Sequence, residues 1–215
     1  MSPTLDEKSN RALFITFEGV EGAGKTTNIE YIADIIKASG QEYVLTREPG
    51  GTVLGEKVRE LLISKDLPEM HQDTELLLMF AARAEHVQKV ILPALKKGVW
   101  VLCDRFTDAS YAYQGAGRGI NSNSIQVLEN LVQGSLRPDI TFLFDLSAEV
   151  GLSRAQSRGE TDRFEQQHID FFNRVREEYL NIAKQDVNRF RIVNAEHELA
   201  TVQKQIDGYL EQIIS

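Results

Sequence analysis

Two glycines separated by four residues, the second followed by lysine and threonine, occur in Gly19-Val20-Glu21-Gly22-Ala23-Gly24-Lys25-Thr26. Glycines at this spacing let the backbone curl until successive N–H groups point inward at an anion. A helix beginning there adds the positive end of its dipole. Lys25 can then reach the β- and γ-phosphates of a nucleotide, Thr26 can offer its hydroxyl to Mg2+, and Thr27 extends the same ATP-binding run. The pattern has meaning only between a strand and a helix. Leu13-Phe14-Ile15-Thr16-Phe17 reads as a buried strand before it. Ile29, Ile32, Ala33 and Ile36 recur at helical spacing after it, and Gly40 is a helix stop.

Further chemistry clusters at the ends of other apolar runs. The strand Tyr43-Val44-Leu45 runs into Thr46-Arg47-Glu48-Pro49-Gly50-Gly51, a loop at the carboxyl edge of a sheet, where open α/β folds bind ligands. A helix follows over Val53 to Ser64, with Val58, Leu61 and Leu62 inward and Arg59 directed back at the loop. Asp73 or Thr74 can cap the next helix, which runs to about Lys97 with a bend or break at Pro93. Leu76, Leu77, Phe80, Ala84, Val87 and Ile91 form its apolar stripe, and Met79, Phe80 and Arg83 share one side. Val99-Trp100-Val101-Leu102-Cys103 is a buried strand ending at Asp104-Arg105-Phe106. A carboxylate at that tip suits Mg2+, bound directly or through water, and the adjacent arginine can fork onto a second phosphate. Ser110-Tyr111-Ala112-Tyr113-Gln114 offers aromatic, hydroxyl and amide groups, ahead of the glycine-rich stretch 115–119.

The remaining elements are a helix from Ser122 or Asn123 to Gln133, a strand Ile140 to Asp145, a long helix from about Gln166 to Gln185, a strand Arg189 to Val193 and a helix Leu199 to Ile214. Between Gly151 and Phe164 lies a polar, glycine-containing segment with Arg154, Arg158 and Arg163, which reads as a lid closing over polyphosphate (about 154–164). Strands alternating with helices predict a three-layer α/β/α fold with a five-stranded parallel sheet in a single domain over 1–215.

The 215 residues carry a net charge of −8, which argues against a general nucleic-acid binder. The single cysteine, Cys103, has no internal partner and reads as core. The first ten residues are polar and no run approaches the roughly 18 apolar residues of a membrane span, so a cytoplasmic protein without membrane partners is expected. His71, His86, His168 and His197 lie in polar surroundings without metal-ligand spacing and read as non-catalytic.

A phosphate loop, an Asp-Arg pair at a strand tip and an arginine-rich lid together point to phosphoryl transfer between two anions, a reaction that is mostly positioning and charge neutralisation. Lys25, Mg2+ and the lid arginines offset charge on the transferring group, while Arg59 and Arg105 hold an acceptor phosphate in line. No strong general base is required, because a phosphate monoester is already an oxyanion near neutrality. A GTP-dependent switch would need a late Asn-Lys-x-Asp element, which is absent.

Phe17-Glu18-Gly19 with its phosphate loop, Thr46 to Gly51, Asp104-Arg105-Phe106, Ala112-Tyr113-Gln114-Gly115, Arg137-Pro138-Asp139 and Asp162-Arg163 form a set that resembles bacterial thymidylate kinases over nearly the whole chain. The resemblance implies transfer of the γ-phosphoryl group of ATP to dTMP, with Mg2+, usually in a homodimer. It implies that Glu21 approaches the sugar 3′-OH, that Arg59 and Arg105 hold the dTMP phosphate, and that Arg83 bonds the thymine edge, with Ser110, Gln114 and Glu48 in the same substrate set. Tyr113 would lie against the deoxyribose. The family often places a stacking Phe four residues before the thymine-contacting Arg; here Met79 holds that place and Phe80 follows, so either can cover the base. The loop interior Val20-Glu21-Gly22-Ala23 lacks the arginine found there in some members, so the sequence resembles the class whose lid supplies it, Arg158 first, then Arg154 and Arg163. Lys25, Asp104, Arg105, Arg158 and Glu21 make up the implied catalytic set. Arg158→Ala is therefore expected to cut kcat by about 10³–10⁵ while leaving dTMP binding largely intact in a titration; an unchanged kcat removes Arg158 from that role.

Overall fold

Phe14–Glu18 forms β1, and all five residues are buried. It lies at the centre of a parallel sheet with strand order β2-β3-β1-β4-β5, built with Tyr43–Arg47 (β2), Trp100–Asp104 (β3), Ile140–Asp145 (β4) and Phe190–Asn194 (β5). Register is set by Phe14 opposite Val101, Ile15 opposite Ile140, Val44 opposite Val101 and Thr141 opposite Phe190. A central strand loses both faces to burial, so it reads as a continuous apolar run. The exceptions are Glu18 at its end and Thr16, whose hydroxyl pairs with that of Thr141 at 2.8 Å and so leaves neither buried hydroxyl unsatisfied. This is the α/β class that the alternation of strands and helices predicts. The computed structural model describes residues 11–157, 164 and 167–214. Among them no helix is long and apolar enough to cross a membrane.

Successive residues of β1 point to opposite sides. Ile15 and Phe17 join Ile29, Ile32, Ala33 and Ile36 of helix α1 (Lys25–Ala38) and Val202, Ile206 and Leu210 of helix α9 (Leu199–Ile214). Phe14 instead meets Val87, Ile91, Ala94, Val101, Cys103 and Phe106. The remaining helices are α2 (Val53–Ile63), α3 (Gln72–His86), α4 (Leu92–Lys96), α5 (Thr107–Ser110), α6 (Ser122–Gln133), α7 (Ala148–Gln156) and α8 (Ile169–Gln185).

Several elements differ from the sequence reading. The helix after residue 71 is capped by His71, whose Nδ1 accepts from the Asp73 N–H at 3.3 Å, rather than by Asp73 or Thr74. It does not break at Pro93: a π-helical stretch, Val87–Ile91, joins α3 to α4, and Pro93 is the second residue of α4, just past that widened turn. Leu61 and Leu77, expected inward, are 47% and 56% exposed, because the apolar rows of α2 and α3 continue past the core onto the surface. The glycine-rich stretch beyond Ser110 is helical, a π turn over Tyr111–Gly117. Part of the expected lid is helix: Ala148, Gly151 and Ala155 form a buried stripe of small residues at spacings of three and four, hidden in the sequence among polar neighbours. Residues 158–163, with Arg158 and Arg163, lie outside the described residues, as does Gln166 at the expected start of α8.

Candidate active site

The carboxyl ends of β1, β2 and β3 open onto one cleft. After β1 the chain turns through Gly19 (φ 139°), Gly22 (φ 74°) and Gly24 (φ 73°) into α1, which begins at Lys25. A side chain at Gly22 is impossible on a second count, since its Cβ would stand 2.1 Å from the Gly151 carbonyl oxygen of α7. The loop is thus pressed against a neighbouring helix as well as bent. The Lys25 ammonium donates to the carbonyl oxygens of Gly19 at 2.9 Å and Val20 at 3.0 Å. Burial, and then the nearby Arg105 charge, lower its pKa to about 8. Gly22, Ala23, Gly24, Lys25 and Thr26 line the cleft; Gly19, Val20 and Thr27 do not.

Opposite the loop stands Asp104-Arg105-Phe106. Arg105 adopts φ 68°, a left-handed conformation that few non-glycine residues occupy. The turn is held by Glu18, which is wholly buried: its Oε1 accepts from the Phe106 N–H at 2.7 Å and its Oε2 from the Tyr179 hydroxyl at 2.7 Å. Burial, and then the charge of Asp108, raise the Glu18 pKa to about 8. The Arg105 guanidinium donates to Glu21 at 2.8 Å and to the Tyr179 hydroxyl at 3.4 Å, and lies 4.7 Å from the Tyr113 ring centroid. Tyr113 donates to both oxygens of Glu21, at 2.8 and 2.7 Å. Arg59, held by the Pro49 carbonyl at 3.1 Å, completes this corner. Asp104 lines the same wall as Thr26, and its Oδ1 is buried with no hydrogen-bond partner among the described residues.

The far end of the cleft is built on a buried network. Glu48 accepts from Arg83 Nε at 2.6 Å and pairs with His86 Nδ1 at 2.8 Å, while His86 Nε2 meets the Thr46 hydroxyl at 2.7 Å. Arg83 Nη2 donates to the Phe106 carbonyl at 3.1 Å, and Nη1 is buried without a partner among the described residues. Phe80 lies beneath this guanidinium, 4.6 Å from its ring centroid, and is 2% exposed; Met79, not Phe80, lines the cleft. Ser110 and Gln114 line it too, the latter donating to buried Glu75 at 3.0 Å. Arg154 stands apart: it donates to the carbonyls of Ala195 at 2.8 Å and Glu196 at 3.4 Å, beyond the end of β5.

The geometry thus gathers Glu21, Lys25, Thr26, Glu48, Arg59, Met79, Arg83, Asp104, Arg105, Ser110, Tyr113 and Gln114 around one cavity. It leaves out Gly19, Val20, Thr27, Phe80 and Arg154. Sequence reasoning gave no role to Glu18, Tyr179 or His86. His86 is the clearest correction: it lies not in polar surroundings but wholly buried. Its place one helical turn after Arg83 was the available signal. An acidic residue ending an otherwise apolar strand was the signal for Glu18. Among the described residues no group of three or more His, Cys, Asp or Glu could hold a metal by itself. One carboxylate and one hydroxyl instead suit Mg2+, which keeps waters and takes the rest of its ligands from phosphates.

Glu48→Leu strands the buried Arg83 guanidinium and is expected to cost about 3–5 kcal/mol in urea unfolding. Glu60→Gln, which breaks the exposed Lys57–Glu60 pair at 2.8 Å, should cost less than about 1 kcal/mol. Equal losses for the two would mean that Glu48 is not the counter-charge of Arg83.

The thymidylate kinase family model matches residues 17–206. The chain is 57% identical over 202 residues to a thymidylate kinase of Pseudomonas savastanoi pv. phaseolicola and 56% identical over 202 residues to one of Pseudomonas syringae pv. tomato; each match spans 94% of this chain and 96% of the other. Its fold matches the crystal structure of thymidylate kinase from Ehrlichia chaffeensis with a TM-score of 0.73 and 36% identity, over 94% of this chain and 99% of that one. The matched span holds the phosphate loop from Gly19, the Asp104-Arg105-Phe106 corner and the Glu48–Arg83 network, and the chain belongs to the thymidylate kinase family.

Proposed function

We propose that the two ends of this cleft hold two nucleotides phosphate to phosphate, ATP on the glycine loop and dTMP against Arg59, Arg105 and Arg83, so that the γ-phosphoryl group passes directly between them. By family and by close relatives the chain is a dTMP kinase, a transferase of nucleotide biosynthesis that uses ATP. The observation that carries the division of labour is the Arg83 guanidinium: fixed on three sides by Glu48, Phe106 and Phe80, it keeps one buried N–H group without a partner at the cleft wall. A buried donor left unmade is costly, and a thymine carbonyl supplies the acceptor it lacks. Met79 covers the base from the same helix. Tyr113, drawn toward Glu21, occupies the place against the sugar that a 2′-OH would need, and Glu21 receives the 3′-OH.

Lys25 neutralises charge on the transferring group, and an anionic triphosphate beside it would favour its charged form against the lowering that burial causes. The unpartnered Asp104 Oδ1 and the Thr26 hydroxyl would hold Mg2+, Asp104 directly or through water, and the ion would add charge neutralisation to the phosphates. Arg158, or Arg163, supplies the lid cation; Arg154 is the weaker candidate, since its guanidinium is already engaged by two carbonyls.

A homodimer fits the surface. Exposed Leu54 and Leu61 of α2, Leu77 of α3, and Val127 and Leu131 of α6 lie on helices that pack side by side, and such a patch is what a second copy covers. Light scattering should give the mass of two chains, and Leu131→Lys should shift it toward one; a monomeric parent protein would rule the dimer out.

With ATP fixed, kcat/KM should fall in the order dTMP, dUMP, UMP, with about 10–200-fold between dTMP and dUMP, the worth of one methyl group in a pocket. ADP release without an acceptor should be slow. Phosphate release from ATP that ignores dTMP would overturn direct transfer.

A further inference from the structure

The acceptor-phosphate corner depends on a residue whose conformation is unfavourable. Arg105 is left-handed at φ 68°, and an L-residue held there needs its surroundings to fix it. One side chain does this twice. Glu18 Oε1 accepts a hydrogen bond from the N–H of Phe106, the residue immediately after Arg105, and Glu18 Oε2 accepts one from the Tyr179 hydroxyl. That leaves the Tyr179 oxygen free to accept from Arg105 Nη1, which lies 3.4 Å away. Glu18 immediately precedes Gly19, where the phosphate loop begins.

We infer that Glu18 and Tyr179 are positioning residues for the acceptor phosphate, tying both the backbone and the guanidinium of Arg105 to the strand that carries the phosphate loop. Neither side chain lines the cleft, so neither touches substrate. The other anchor of the guanidinium, Glu21 at 2.8 Å, is shared with Tyr113 and, if Glu21 receives the sugar 3′-OH, is drawn on by the nucleotide as well. Once a nucleotide engages Glu21, Tyr179 is the hydroxyl that keeps Arg105 from following it. Tyr179 is suited to this role because it is 1% exposed, stands on helix α8 and packs edge-on against Tyr113 at 6.3 Å.

The inference rests on the reading of Arg105 as the dTMP-phosphate ligand, and a calorimetric double-mutant cycle separates the two. Tyr179→Phe should weaken dTMP binding on the order of tenfold, the worth of one hydrogen bond to a charged group, while KM for ATP changes less than about twofold. In the Arg105→Ala background the same substitution should add nothing. Equal losses for ATP and dTMP, or a full tenfold loss on top of Arg105→Ala, would overturn it, since a merely structural tyrosine behaves that way. Should Tyr179→Phe lack a cooperative melting transition, Glu18→Gln is read in its place: its amide donates to the Tyr179 oxygen in competition with Arg105, and the same loss confined to dTMP is expected. A native protein that bound no dTMP would refute the functional reading and this inference with it.

Discussion

Like charges must be crowded together before any ligand arrives. The chain is acidic overall, with 32 Asp and Glu against 24 Lys and Arg, yet Lys25, Arg59, Arg83 and Arg105 face one cleft. Each is restrained by an acceptor that it cannot leave cheaply: backbone carbonyls for Lys25 and Arg59, Glu48 for Arg83, Glu21 and Tyr179 for Arg105. The depressed pKa of Lys25 is a sign of the resulting field, caused first by burial and then by Arg105. Cations fixed in this way need no reorganisation when phosphates enter, and that is where phosphoryl transfer gains most of its catalysis.

The sheet makes the crowding possible. From β1 the chain leaves toward the β2 edge, and from β3 it leaves toward β4 on the other side. Right-handed crossovers in opposite directions run over opposite faces of the sheet, so the two outgoing loops part to either face, and the crevice between them is where an open parallel sheet accepts a ligand. The glycine loop follows β1 and the Asp104-Arg105-Phe106 turn follows β3, so the loops that face each other belong to adjacent, hydrogen-bonded strands. Arg105 N–H donates to Phe17 O at 2.9 Å, and the Glu48 N–H donates to Asp104 O at 2.9 Å. Three loops from three strands are thereby stitched edge to edge before any side chain is counted.

Motifs carried by backbone requirements were the most legible in the sequence. Gly19 to Thr26 announces itself because Gly19, Gly22 and Gly24 all take positive φ angles, and Gly22 is also pressed against Gly151. Strand tips were legible for a similar reason, since Asp104-Arg105 breaks an apolar run where nothing apolar requires it. Partnerships were not. His86 pairs with Glu48 across 38 positions, and Tyr179 with Glu18 across 161, and no local pattern encodes such pairs. That Met79 and not Phe80 lines the cleft turned on a rotation of a fraction of a helical turn, which periodicity cannot resolve. Helix α7 was hidden because its buried stripe is Ala148, Gly151 and Ala155, residues too small to register as apolar periodicity.

The Phe106 backbone links the two ends of the site. Its N–H is held by Glu18, at the corner that carries Arg105, and its carbonyl is held by Arg83, the group we propose reads the base. A displacement of Arg83 by an ill-fitting base would therefore pull on the peptide that follows the one fixing the left-handed turn at Arg105, with only the Phe106 Cα between them. Interactions realised only when both ends are seated act on the transition state more than on ground-state binding. Discrimination between bases should for that reason be expressed partly in turnover, because the phosphate end is in register only when the base end is filled correctly. An independent base pocket and phosphate clamp, joined by nothing but the nucleotide, would express the same discrimination in affinity alone.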